Sequence, residues 1–144
     1  MKPGIHISRV WSDEHVVELR VRVSDGKSSF SNEVYAGHAA LGEAVAALHA
    51  FKDQVRGGLF DLRFGEFGPE YANGAFAARF HFAVPGRLFV SCEQEADFVP
   101  FGKKQVASRA TLYLESEAAL LDRFIAQLRA VAAGASEEAC LEAL

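Results

Sequence analysis

The stretch VVELRVRVSDGKSSFSNEVYAGHAALGEAVAALHAF, Val16–Phe51, changes its period once, and that change decides the fold. From Val17 the apolar residues alternate. Val17, Leu19, Val21 and Val23 fall on one side of a strand, with Glu18, Arg20 and Arg22 on the other. A period of two with one apolar row describes a strand with one covered and one wet face. Asp25-Gly26 is a turn signal, and SSFSNEVYA reads as the return strand, with Phe30 and Val34 inward. At Gly37 the period becomes helical. Leu41, Ala44, Val45, Leu48, Phe51 and Val55 follow i, i+3, i+4, i+7 spacing, which predicts an amphipathic helix over about 38–55. Gly57-Gly58 ends it.

The flanks repeat this grammar. GIHISRVW reads as a strand ahead of Val16. Phe60, Leu62 and Phe64 alternate with Asp61 and Arg63. Phe76, Ala78, Phe80, Phe82 and Val84 alternate with Ala77, Arg79 and His81, and Pro85-Gly86 turns the chain into RLFVSCE, with Leu88, Val90 and Cys92 inward. QEADFVPFGKK reads as a loop before QVASRATLYLE. Ser116 is the expected N-cap of a helix whose stripe is Leu121, Phe124, Ile125, Leu128 and Val131, stopped at Gly134. Ser136 would start a short last helix carrying Cys140, Leu141 and Leu144. Short turns make neighbouring strands antiparallel. The expected class is α+β: one antiparallel sheet of about six or seven strands, with the inserted helix and the C-terminal helices on one face. Residues 1–133 form one domain and residues 134–144 a short helical tail of it.

Composition agrees and narrows function. The 144 residues include twelve Phe and are 50% hydrophobic, enough to bury a sizeable core. The net charge is −4 and the basic residues are spread out, so a nucleic-acid partner is not expected. No apolar run reaches the ~18 residues of a membrane span, and the start has no apolar core of signal-peptide length. The expected location is the cytoplasm, with no membrane association. The two cysteines, Cys92 and Cys140, form no CxxC pair or ligand set, and no metal or cofactor is expected.

Four places compete for chemistry. The segment GEFGPEYANG, residues 65–74, carries Glu66, Glu70, Tyr71 and Asn73 between glycines. Two carboxylates on an unusual loop could do acid–base work, or the loop could be a compact connection with its acids in water. The polar rows of the strands carry Arg20, Arg22, Arg63, Arg79, Arg87 and Arg109, interleaved with acids and His81. Guanidinium forks suit carboxylates and phosphates, but cross-strand pairing explains such rows equally well. The five histidines form no HxH or HExxH pair. In DFVPFG the apolar Phe98, Val99 and Phe101 sit in an expected loop, either packed under the sheet or forming a contact patch, homodimer included.

The apolar spacing of Phe30 and Val34, of Leu41, Leu48 and Phe51, and the stretches GGLFDLRF, GRLFVSCE and LYLESEAALLDRFIAQLRAV, over roughly Val16–Val131, resemble a broad group of small bacterial α+β proteins. This group includes immunity proteins of the WapI type. The resemblance implies a β-meander around a central helix and a protein that neutralises a toxin by binding it. GEFGPEYANG is a departure from that pattern. The resulting expectation is a non-enzymatic binding protein with a protein partner, immunity-like in its narrow form. The alternative is a small enzyme or small-ligand binder with its site at residues 65–74 and the adjacent Arg63, Arg79 and His81.

Overall fold

A computed structural model describes residues 2–69 and 72–144. Among these the chain forms β1 (Gly4–Ser12), β2 (Val16–Ser24), β3 (Ser29–Gly37), α1 (His38–Phe51), β4 (Leu59–Gly65), β5 (Asn73–Val84), β6 (Arg87–Asp97), β7 (Val99–Phe101), β8 (Lys104–Val106), β9 (Arg109–Glu117), α2 (Ala118–Ala132) and β10 (Glu138–Glu142). The α+β class and the antiparallel pairing are as expected. The single sheet is not. The strands form two four-stranded sheets, ordered β10-β1-β2-β3 and β4-β5-β6-β9, and a separate β7-β8 hairpin. Alternation fixes which face of a strand is covered, and here each sheet covers its apolar face partly with the other sheet. In space each sheet is a meander followed by a helix, the first by α1 and the second by α2.

The C-terminal tail is a strand, which corrects the expected short helix. β10 pairs with β1 in a register that sets Leu141 against Ile5 and Ala139 against Ile7. Ala139 and Leu141 alternate into the core, and tertiary pairing overrides the helical preference of this Glu- and Ala-rich segment. The expected loop from Gln94 is also largely strand. The inward row Leu88, Val90, Cys92 continues through Gln94, and β6 runs to Asp97. Ser116 does not cap α2. It belongs to β9, and its hydroxyl donates to the Glu142 carbonyl at 2.7 Å. α1 stops at Phe51, short of Val55.

One core lies between the sheets and helices. From α1, Phe51 enters a cluster with Phe60, Phe80 and Phe82, stacking on Phe82 at 5.3 Å. Leu121, Phe124, Ile125, Leu128 and Val131 of α2 are buried. The sheets meet at two corners. At one, the Leu144 N–H donates to the Glu115 carbonyl at 2.8 Å beside the Ser116–Glu142 bond. At the other, β3 crosses β5 so closely that a Cβ on Gly74 would collide with the Glu33 carbonyl. Gly74 also has φ +95, a conformation that favours glycine. Arg9 donates through its guanidinium to the Val131 carbonyl, placing a cation at the C-terminal end of α2, where the helix dipole favours it.

Candidate functional site

The outer face of the second sheet is built from cross-strand rows. One row is Asp61, Arg79, Ser91 and Tyr113; the next is Arg63, Ala77, Glu93 and Thr111; the one beyond is Gly65, Ala75, Glu95 and Arg109. The small side chains of Ala77, Ser91 and Thr111 form the floor of an open depression of about 310 Å³, walled by Asp61, Arg63, Arg79, Glu93 and Tyr113. Arg79 grips Asp61 with both arms of its fork, Nε to Oδ1 at 2.8 Å and Nη2 to Oδ2 at 3.0 Å. That bond holds the Asp61 carboxyl below its ordinary range and raises the Arg79 guanidinium. Arg63 makes no ion pair among the described residues. Tyr113 is 70% exposed, and Phe89 and Leu59 are also open to solvent in the row that contains His81.

The part of the 65–74 connection that carries Phe67 and Gly68 closes one end of this face. Its Phe67 ring lies under the Arg109 guanidinium, 5.8 Å from centroid to Cζ. Glu95 ties the two together. One carboxylate oxygen accepts from the Gly68 N–H at 2.7 Å, and the other pairs with Arg109 Nε at 3.1 Å. Ala75 and Glu95 therefore sit on a nominally wet row yet are buried, with Glu95 only 2% exposed. The connection is a fastened flap over the sheet. Its length is explained by what it covers, which a two-residue turn could not reach.

The described candidate residues of the loop and the sheet do not converge. Arg63 and Arg79 wall the depression and His81 lies one row beyond Arg79. Glu66 and Asn73 line a separate shallow hollow with Tyr35 of β3, and both are exposed. Glu70 and Tyr71 lie outside the described residues. In that hollow the neighbouring Glu18 carboxylate raises the Tyr35 phenol. Phe98 is half-buried, while Val99 and Phe101 stand on the β7-β8 hairpin at 51% and 67% exposure.

No family model, no curated protein and no solved structure matches the chain. The chemistry must therefore be read from the side chains. Cys92 is a buried thiol pushed up to about 12 by desolvation, a core residue and not a nucleophile. Cys140 lies beside His6 in the β1–β10 register, but burial and Glu142 raise its thiol as well, opposite to what thiolate catalysis needs. Among the described residues no three His, Cys, Asp or Glu side chains group as metal ligands.

Three residues that hold this face were missed in the sequence. Gln94 donates through Nε2 to the Val21 and Phe30 carbonyls and to Asn32 Oδ1, the last at 2.8 Å. Asn32 in turn donates to the Ala75 and Glu95 carbonyls. This buried amide pair joins the two sheets beneath the flap. The signal was present: Asn32 lies between Phe30 and Val34 on the inward row, and Gln94 extends the inward row of β6. Glu95 gave no such signal, because it lies on a polar row.

Proposed function

We propose that the protein is a non-enzymatic binding protein whose partner is another protein, received on the outer face of the second sheet. The observation that carries this reading is the open depression floored by Ala77, Ser91 and Thr111 and walled by an ion-paired Arg79, by Arg63, which has no ion pair among the described residues, by Glu93 and by an exposed Tyr113. Aromatic and Arg side chains are the residues that anchor protein interfaces. Charges of both signs in fixed positions give orientation and selectivity. The Phe67–Arg109–Glu95 fastening holds one border of the face rigid before any partner arrives, which lowers the ordering cost of association. A toxin as partner, with an immunity-like role, is the narrow form of this proposal.

The enzyme alternative has weaker support. Glu66 is in water and lies in a different hollow from Arg63 and Arg79. The test is affinity capture from the native host with wild type and with a Phe89→Ala/Tyr113→Ala variant. A protein recovered by wild type and lost with the variant supports the reading. A small molecule copurifying at equal occupancy with both proteins, and no protein partner, would overturn it.

A further inference from the structure

The free edge of β4 is self-complementary, and we infer that it pairs with the same edge of a second copy of this chain. The Phe82 N–H donates to the Gly58 carbonyl at 3.0 Å, continuing the register in which Leu59 faces His81. Hydrogen-bonded and non-hydrogen-bonded pairs alternate along an antiparallel ladder. Phe60, Leu62 and Phe64 therefore bond to β5, while Asp61 and Arg63 turn their backbone N–H and C=O groups away from it. Those groups form an unpaired edge, the standard template for adding a strand.

The other edges of the two four-stranded sheets are covered, at least in part. Gln127 of α2 accepts from the Cys140 N–H on β10 at 2.8 Å, the C-terminal residues bond to the end of β9, and β3 is crossed onto β5. β4 has no proline, no lysine and no bulge against β5. These are the usual devices that block edge pairing.

The sequence of β4 selects one register. About Leu62, the run Phe60-Asp61-Leu62-Arg63-Phe64 is symmetric in size and opposite in charge. A two-fold axis at Leu62 sets Asp61 of each copy against Arg63 of the other, and Phe60 against Phe64. Asp61 and Arg63 then form hydrogen-bonded pairs, each exchanging both backbone bonds. Moving the axis to Asp61 or to Arg63 puts like charges face to face, which is destabilising. Arg63, which makes no ion pair among the described residues of the single chain, gains the partner's carboxylate. The contact is isologous and closes as a dimer. It joins two four-stranded sheets into one eight-stranded sheet with a continuous outer face.

The experiment is sedimentation of wild type, Arg63→Asp, Asp61→Arg and an equimolar mixture of the two variants. Wild type should sediment as a dimer and each variant alone as a monomer. The mixture should recover the dimer, because two acids then face two arginines. A wild-type monomer at every concentration, or a dimer that both variants leave intact, overturns the inference. Hydrogen exchange on wild type tests it without substitution. The Asp61 and Arg63 amides should slow as concentration rises while the Leu62 amide does not change, and unprotected Asp61 and Arg63 amides in a dimer would refute the pairing. Neither readout depends on the protein partner proposed above.

Discussion

Gln94 shares two amide hydrogens among three acceptors, Asn32 Oδ1 and the Val21 and Phe30 carbonyls, so its replacement removes a donor from each of them. A buried polar group left unsatisfied costs about 1–3 kcal/mol. Gln94→Met keeps the length of the side chain and its burial but removes the donor. It is expected to destabilise the protein by about 1–3 kcal/mol in urea unfolding, and a change near zero would mean that water or a backbone shift replaces the amide. This residue also marks where reading the sequence stopped short. The inward rows of β3 and β6 were legible, and Asn32 and Gln94 lie on them. Polar residues on an apolar row signal a buried hydrogen-bond pair, but the rows alone do not say that the two belong to different sheets.

At the scale of elements, strand alternation was legible because it is local, and α1 and α2 were legible because their apolar stripes are long. What escaped was set by distant partners. The fastened flap depends on Glu95, which is wet by pattern and buried only because Phe67 and Gly68 fold over it. Glu95→Gln keeps an acceptor for Gly68 but turns an amide donor toward Arg109 or loses the Gly68 bond. The flap should then loosen, read as faster limited proteolysis between residues 65 and 74 with a modest loss of about 1–2 kcal/mol overall. Unchanged cleavage would mean that Phe67 alone holds it. The neighbouring β4–β5 ladder supplies a pH test. The Arg79 hydrogen bond lowers the folded-state Asp61 pKa, so the pair contributes stability above the ordinary carboxylate pKa near 3.8 and loses it as pH falls through the lower folded value. Both side chains are more than a third exposed, so solvent screens the pair and its contribution is small. Asp61→Asn should be less stable than wild type at neutral pH, and the two should converge as the pH drops well below 4. A gap that persists in acid would assign the effect to shape instead of charge.

For the whole molecule, the decisive departure from expectation is the C-terminal segment. As a surface helix it would be dispensable. As β10 it completes the first sheet from the far end of the chain, pairing Glu142 with Gly4. The molecule is thus two meander-plus-helix units, the first of which takes its outermost strand from the last residues of the chain. No local pattern reports such pairing, which is why sequence reading put the segment outside the core. The consequence is measurable. Leu141 is fully buried, and Leu141→Ala should cost about 2–5 kcal/mol, a large share of the 5–15 kcal/mol expected for a domain of this kind. Removing residues 138–144 should do more. It deletes Leu141 and Ala139 from the core, strips the Glu142 carbonyl from Ser116, and bares the β1 edge over an apolar row containing Ile5 and Ile7. An exposed edge of that kind invites association with other chains. The truncated protein should therefore appear in the insoluble fraction or unfold cooperatively at a much lower temperature. A truncated chain that stays soluble with an unchanged melting transition would return the segment to the status of an appendage.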